Sequence, residues 1–314
     1  MNNDEKYIIV SSSDCKNHWG WCSNLGHELF FTRKIVFILF INNLINENYI
    51  IVTSNEDRKF LYSSIFNKVI TYNDFLTNNI LLHNDNVIDL CPYLLSLYAA
   101  DINFLNSIGA PNGSTMNCLK NFGLNENMLC DNKIFQNCNT ESLNELSCKL
   151  DYLNLDNSEF KNIINSDFFI IHIKNGSKYL NYIYEIIQKF GINCIIFTQS
   201  TNVTKDFLQT SDLRMYATLL NNKNCKFFIT EWSGGGQLAQ FCCNSKIVYY
   251  YDCYPEHYFN DKEQLYRDAN NSYFYDLWDH YTPINCKRVF LTKNDFEDIN
   301  ILKNICLYNI WNSK

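Results

Sequence analysis

The chain has 314 residues, of which 46% are hydrophobic, 19% charged and 16% aromatic. At about 150 residues per domain, this length and composition predict two packed domains and exclude a disordered chain. The net charge of −7 disfavours binding to nucleic acid or to an anionic membrane surface, so we expect neither partner.

The compartment is predicted from apolar runs and cysteine spacing. The longest apolar run, Ile35 to Ile41, is far shorter than the ~20 residues of a membrane span, and the first residues lack a signal-peptide core. The 14 cysteines include no Cys-x-x-Cys pair, which favours reduced thiols over disulfides or a zinc site. We therefore expect a cytoplasmic protein without an integral membrane span. The abundance of Asn, Ile, Lys, Tyr and Phe favours an A/T-rich genome, that of a low-GC microbe or of a large DNA virus in its host cell.

The first part of the chain alternates strand and helix patterns. Short β-branched runs predict strands at residues 7–13, 49–53, 68–72 and 86–90. Longer apolar segments predict helices at residues 27–46, 58–66 and 92–108. This alternation is typical of a parallel sheet covered on both faces.

A cluster of turn-forming residues, Gly109 to Ser114, marks the expected domain boundary. We assign residues 1–115 to an N-terminal Rossmann-like domain, and residues 116–150 to a connector or insertion. The fold class predicted for this half is α/β.

The alternation resumes in the second part of the chain. Strands are predicted at residues 168–173, 192–198, 225–230 and 246–251, and helices at residues 178–190, 211–220 and 232–243. We assign residues 151–295 to a second Rossmann-like domain and residues 296–314 to a C-terminal helix. Doubly wound sheets bind ligands at the carboxyl ends of their strands.

The most specific motif is the segment Phe227 to Phe241, in which a strand runs into three glycines and then directly into a helix. Free backbone N–H groups and a helix dipole at such a turn suit a diphosphate. The alternative is a tight turn that needs glycine for backbone reasons alone. The segment has neither the Gly-Lys-Ser/Thr of a Walker loop nor a Gly-x-Gly-x-x-Gly fingerprint.

Two further strand ends in this half carry polar residues. Lys174 follows the strand at 168–173 and could neutralise a phosphate, or it could be a solvated loop lysine. Thr198 and Gln199, at the tip of the next strand, could hydrogen-bond a base or a ribose. His172 lies inside its strand, where a hydrogen-bonded core histidine is the expected role.

In the first half, the start of the first long helix holds the best-placed titratable groups. Gly26 allows a ligand to approach the backbone, and His27 and Glu28 could take a proton from an acceptor hydroxyl. Alternatively, Glu28 is a first-turn carboxylate that the helix dipole stabilises. The residues alone leave these roles open.

These motifs resemble the GT-B glycosyltransferases, most nearly the heptosyltransferase type that uses nucleotide-diphosphate sugars. That family pairs a Leu-Gly-Asp turn with a helix beginning Asp-Leu, a strand, then Thr-Asp-Ser-Gly and a helix with His-Leu-Ala. The corresponding segments here are Leu25-Gly26-His27, Asp212-Leu213, Phe228 to Glu231, and Ser233 to Ala239. The resemblance covers most of residues 7–75 and 166–255.

The resemblance implies two doubly wound Rossmann-like domains that face each other across a cleft, with the C-terminal helix crossing back to the first. It implies that residues 1–115 bind the acceptor and that residues 151–295 bind the nucleotide sugar. It also implies metal-independent transfer of a sugar, without a cofactor, from a nucleotide-diphosphate sugar to a glycan or another hydroxyl acceptor. A metal-dependent GT-A enzyme is disfavoured because no Asp-x-Asp occurs in the chain. The residues expected to bind the nucleotide sugar are Gly26, Lys174, Thr198, Gln199, Glu231, Ser233, Gly234, Gly235, Gly236 and Gln237.

The chain departs from the family at three functional positions. Where the family has Asp-Ser-Gly, this chain has Glu231-Trp-Ser-Gly, which is one residue longer. Where the family has aspartate after Leu-Gly, this chain has His27, so the catalytic base could be His27, could have moved to Glu28, or could be absent. Where the family has histidine before Leu-Ala, this chain has Gln237. Two alternatives follow: a nucleotide-sugar 2-epimerase of the same fold, and an inactive GT-B module that binds a glycan through the aromatic residues of 249–278.

Overall fold

The computed structural model divides into two compact units, Met1–Asp151 and Tyr152–Lys314, and each is described by itself. The residues that the structure describes are 5–13, 25–78, 86–91, 140–156, 158–173, 191, 193–198, 209–231, 234–242, 247–251, 287–290, 300 and 304.

The first unit contains a four-stranded parallel sheet. Its strands are β1 (Tyr7–Ile9), β2 (Ile50–Thr53), β3 (Lys68–Thr71) and β4 (Val87–Asp89). Their order is β3-β2-β1-β4, and every neighbouring pair is parallel. The strand order reverses between β1 and β4. Both β1 and β2 are buried along their whole length, as expected for strands covered on both faces.

Helical segments follow three of these strands. The long helix begins as α1 (Leu25–His27), continues as a π-helical segment (Glu28–Thr32) and ends as α2 (Arg33–Ile41). A 3-10 helix (Glu56–Leu61) follows β2, α3 (Tyr72–Thr77) follows β3, and α4 is Thr140–Cys148.

Two of these helices differ from the sequence prediction. The predicted helix 27–46 ends at Ile41, because Asn43 adopts a positive φ of 56°, a left-handed conformation that asparagine tolerates and that ends a helix. The predicted helix 58–66 is instead the short 3-10 helix.

Arg33 attaches α4 to the rest of the first unit. This buried guanidinium donates hydrogen bonds to the backbone carbonyls of Leu61, Ser147 and Lys149, at 3.1, 2.8 and 3.3 Å. The described end of the predicted connector 116–150 therefore packs within the first unit.

The second unit contains a six-stranded parallel sheet. Its strands are β5 (Phe168–His172), β6 (Asn193–Phe197), β7 (Gln209–Thr210), β8 (Cys225–Glu231), β9 (Ile247–Tyr251) and β10 (Lys287–Phe290). Their order is β10-β9-β8-β5-β6-β7. Counted from β5, this is the 3-2-1-4-5-6 order of the Rossmann fold, and the first sheet has the first four strands of the same order.

The described helices of the second unit are α5 (Lys161–Ile164), α6 (Leu213–Asn221) and α7 (Gly234–Cys242). Helix α6 begins where Asp212 accepts hydrogen bonds from the N–H groups of Arg214 and Met215, which is a side-chain N-cap. Strands β7 and β10 were not predicted from the sequence.

The α/β class with parallel Rossmann-like sheets is confirmed, whereas the cleft between two facing domains stays a prediction. The helices predicted at 92–108 and 178–190 lie outside the described residues, as does most of the one predicted at 296–314. In the described part of the chain, no helix has the length and apolar character needed to cross a membrane.

Candidate functional site

The reversal point of the second sheet lies between β5 and β8, where open α/β sheets bind their ligands. The strand register places His172 beside Thr230 at the carboxyl ends of these two strands. Strand β8 ends at Glu231, and α7 begins at Gly234. The glycine turn therefore follows a central strand directly at the reversal point.

His172 is buried at this point, with 5% of its surface exposed, and it is hydrogen-bonded as a core histidine should be. Its Nδ1 atom lies 2.9 Å from the hydroxyl oxygen of Thr230. The centroid of its ring is 5.1 Å from that of Phe197 and 6.2 Å from that of Tyr216. Phe197 and Tyr216 are themselves stacked at 3.9 Å.

Gly235 is packed directly against this histidine. A Cβ atom at position 235 would lie 2.9 Å from Cε1 of His172 and 3.2 Å from each ring nitrogen, closer than ordinary van der Waals contact. The Tyr216 hydroxyl donates a hydrogen bond of 3.1 Å to the carbonyl oxygen of Gly235. The second of the three glycines is therefore required by packing.

Gln237 lies near the start of α7 and is 8% exposed. Its Oε1 atom has no hydrogen-bond partner among the described residues. A buried acceptor without a donor costs about 1–3 kcal/mol. A donor from a bound ligand, or from a residue outside the described ranges, would remove that cost.

The other residues predicted for nucleotide-sugar binding are placed less fully. Thr198 is buried directly after β6, and its N–H group donates to the carbonyl oxygen of Thr210. Glu231 is the last residue of β8, and only its backbone is described. The predicted residues outside the described ranges are Lys174, Gln199 and Ser233.

In the first unit, Glu28 lies in a buried polar cluster near the carboxyl ends of β1 and β2. Its carboxylate accepts hydrogen bonds from Ser11 and Thr53, each at 2.9 Å. Arg58 completes the set with an ion pair of 2.7 Å between Nη1 and a carboxylate oxygen. Glu28 is 1% exposed, so this carboxylate is both desolvated and held by three donors.

The cluster extends to neighbouring groups of the same unit. The N–H group of Ser54 donates to the Ser11 hydroxyl at 2.8 Å, which links the residues that follow β1 and β2. Burial, and then the negative charge of Glu28, raise the pKa of Tyr62 well above its usual value. Gly26 is buried next to the cluster, and only the backbone of His27 is described.

Several residues of the two clusters were missed from the sequence. Ser11, Thr53 and Thr230 could have been found, because each is a hydroxyl at the end of a β-branched or aromatic strand run. Arg58 and Tyr216 had no comparable signal, since their partners Glu28 and Gly235 are 30 and 19 residues away in the chain.

Among the residues whose placement is described, no group of three or more His, Cys, Asp or Glu side chains could hold a metal ion.

Solved structures of known proteins resemble the chain, two glycosyltransferases among them. One is the glycosyl transferase family 9 protein from Veillonella parvula, with 12% identity over 98% of this chain and 90% of that one, at a TM-score of 0.45. The other is ADP-heptose lps heptosyltransferase II from E. coli, with 10% identity over 98% of this chain and 100% of that one, at a TM-score of 0.43.

No protein-family model matches the chain, and no curated protein sequence matches it significantly.

Proposed function

We propose that this chain is a glycosyltransferase that binds a nucleotide-diphosphate sugar on the second unit and transfers the sugar to a hydroxyl of a glycan or another acceptor. The observation that carries the proposal is the start of α7. Its glycines follow the central strand β8 at the reversal point of a Rossmann-ordered sheet.

The start of α7 suits the diphosphate of the donor. The first backbone N–H groups of a helix have no partner within the helix, and the helix dipole favours an anion beside them. The first turn of α7 contains no acidic residue that would oppose a bound anion. Lys174, which follows the end of β5 by two residues, would add a positive charge. In this proposal no metal ion is needed to neutralise the leaving group.

The base that receives the acceptor proton is proposed to be His27. Glu28 is 1% exposed and already accepts hydrogen bonds from three donors, one of them the Arg58 guanidinium. A general base must reach the proton that it removes, and a carboxylate held in this way is poorly suited to that task. We therefore assign Glu28 to holding the start of the helix on which His27 lies.

The proposed reaction is a single displacement of groups at the anomeric carbon of the donor sugar. The acceptor oxygen forms a bond to that carbon while the bond from the carbon to the diphosphate oxygen breaks. The acceptor proton passes to the base, and the nucleoside diphosphate leaves with the electron pair of the broken bond. The N–H groups at the start of α7 would stabilise the charge that develops on it.

Thermal shift measurements with UDP, GDP, ADP and CMP test donor binding. A ligand that binds only the folded state stabilises it by RT ln(1 + [L]/Kd), so we expect one nucleoside diphosphate to raise Tm in a concentration-dependent way. Stabilisation by none of the four would contradict the proposal and favour the glycan-binding module.

Sugar release from a panel of nucleotide sugars then tests the reaction. We expect release that depends on an acceptor and persists in EDTA. Conversion of the donor sugar to its 2-epimer would instead identify an epimerase.

Two variants test the assignment of the base. We expect His27→Ala to lower kcat by roughly 100-fold or more, the usual contribution of a general base, with little change in Tm. Glu28→Gln should lower Tm, because it removes the charge that pairs with Arg58. If His27→Ala retains full turnover, the base lies elsewhere.

A further inference from the structure

We propose that His172 is a positioning residue that fixes the first turn of α7 through Gly235, and thereby sets the affinity of the second unit for the diphosphate of the donor. The inference rests on the proposed function. In this proposal His172 does not touch the ligand and acts on it through the backbone of α7.

Three elements of the sheet and its helices meet at Gly235. Strand β5 provides the His172 ring, strand β8 provides the Thr230 hydroxyl that holds the ring, and helix α6 provides Tyr216. The Tyr216 hydroxyl bonds the carbonyl oxygen of Gly235, while the ring of His172 occupies the space where a side chain at 235 would begin. The position of Gly235 is therefore fixed both by the Tyr216 hydroxyl and by the His172 ring.

The histidine ring has little room to yield. It is 5% exposed, its Nδ1 atom is 2.9 Å from the hydroxyl oxygen of Thr230, and Phe197 and Tyr216 lie within 6.2 Å between centroids. A rigid planar group held at one atom and packed against aromatic rings resists displacement, because dense cores transmit strain instead of absorbing it. Any added volume at Gly235 must therefore displace the start of α7.

Displacement of this turn matters because its backbone is the proposed anion site. Preorganised N–H donors bind an anion well only if they are held in place before it arrives. Gln237, in the same first part of α7, supplies an independent indication of a ligand: its buried Oε1 atom has no partner among the described residues.

A double-mutant cycle tests the inference. Gly235→Ala places a methyl group against the His172 ring, and we expect it to weaken binding of the stabilising nucleoside diphosphate by roughly tenfold or more, as small misplacements in preorganised sites do. His172→Ala removes the support and should weaken binding by a smaller factor. The double variant should bind more tightly than Gly235→Ala alone, because the new methyl group occupies space that the ring has left.

The measurements are the Kd of the nucleoside diphosphate by isothermal titration calorimetry, at a temperature well below Tm, and the free energy of unfolding without ligand. Ile195→Ala, a buried truncation in the neighbouring strand β6, is the control: it should lower stability and leave Kd unchanged.

Two outcomes would overturn the inference while the proposed function stands. One is a double variant no better than Gly235→Ala in both Kd and stability, and the other is an Ile195→Ala variant that weakens binding as much as His172→Ala. A wild-type protein that binds no nucleoside diphosphate would instead refute the proposed function and, with it, the ligand role of His172. In that case the unfolding data would still decide whether the ring and Gly235 are sterically coupled.

Discussion

The carboxyl ends of the central strands are filled differently in the two units. In the first unit a full ion pair, Glu28 with Arg58, is buried among hydroxyl groups next to β1 and β2. In the second unit an imidazole bonded to a hydroxyl, His172 with Thr230, and a glycine backbone packed against the ring lie between β5 and β8, the strands that correspond to β1 and β4. The two sheets have the same strand order over their first four strands, but the two clusters lie beside different strand pairs.

The two clusters differ in whether a charged pair lies at their centre. Glu28 and Arg58 neutralise each other, and the hydroxyls of Ser11 and Thr53 complete the coordination of the carboxylate. In the second unit, the described groups are the His172 ring 2.9 Å from the Thr230 hydroxyl and the buried Oε1 atom of Gln237, and the first turn of α7 contains no acidic residue. This contrast is in keeping with the proposal that the second unit binds the anionic donor.

The largest expected effect comes from breaking the buried ion pair. Arg58→Met leaves the Glu28 carboxylate buried beside an apolar side chain, and removal of one partner from such a pair typically costs about 3–5 kcal/mol. We expect a loss of this size in the free energy of unfolding, measured by urea titration.

Lys59→Met is the matched control for this change. Lys59 lies on the same 3-10 helix, and its ion pair with Glu56 is partly exposed to solvent. Exposed pairs of this kind contribute about 0–1 kcal/mol. Equal losses in the free energy of unfolding for the two variants would show that the Glu28–Arg58 pair is not desolvated. The first unit would then not differ from the second in holding a buried ion pair.

A smaller effect is expected from the neutral cluster of the second unit. Thr230→Val keeps the shape of the side chain but removes the hydroxyl that lies 2.9 Å from Nδ1 of His172. Loss of one hydrogen bond between neutral groups typically costs about 0.5–1.5 kcal/mol. The free energy of unfolding should therefore fall by less than in Arg58→Met, and the ¹⁵N shifts of the His172 imidazole should change.

Ile229→Val provides the comparison for Thr230→Val. It removes one methylene from the adjacent position of β8 and should cost about 0.5–1.5 kcal/mol. Because Ile229 is not bonded to His172, the imidazole shifts should stay as in the wild type. The same shift change in both variants would mean that the Thr230 hydroxyl does not hold the ring.

Much of the fold could be predicted from the sequence because most strands are short apolar runs, and β1, β2 and β5 are buried along their whole length. The predicted strands overlap β1 to β6, β8 and β9. A short apolar run bounded by turn residues is typical of a buried strand. Strand β7 has two residues and β10 begins with Lys287-Arg288, so neither has a readable pattern. Helix ends were less predictable, as Asn43 shows, because they depend on single backbone conformations.

The site was predictable only in its local parts. The glycine turn at Gly234 to Gly236 is contiguous in sequence and could be recognised there. Glycine is needed at position 235 because the ring of His172, 63 residues earlier in the chain, occupies the space of a side chain there. A local sequence pattern carries no information on contacts between residues so far apart. The role of Glu28 was ambiguous for the same reason, because its partner Arg58 becomes visible only when β1 and β2 are placed side by side.

The smallest expected effect concerns an exposed carboxylate in the first unit, Asp74, which contrasts with the buried Glu28. Thr71 and Asp74 form a capping box at the start of α3: the N–H group and the hydroxyl of Thr71 both donate to the Asp74 carboxylate, at 3.1 and 2.8 Å. The bond from the Thr71 hydroxyl, followed by that from its backbone, lowers the pKa of Asp74 below its ordinary value of 3.8. A carboxyl group whose pKa is lower in the folded state stabilises the protein above its ordinary pKa, and this contribution is lost as the pH falls through the folded-state value.

We therefore expect wild type to be more stable than Asp74→Asn at pH 7, with a difference that shrinks as the pH falls below about 4. Urea titrations at several pH values measure this difference directly. In a Thr71→Ala background the same exchange should show a weaker pH dependence, because the hydroxyl is the largest cause of the lowered pKa. An unchanged pH dependence in that background would show that the charge of Asp74 is stabilised by something other than the cap. Asp74 would then not be an exposed carboxylate stabilised by its own helix, and it could not be contrasted in that respect with the buried Glu28, which a distant guanidinium stabilises.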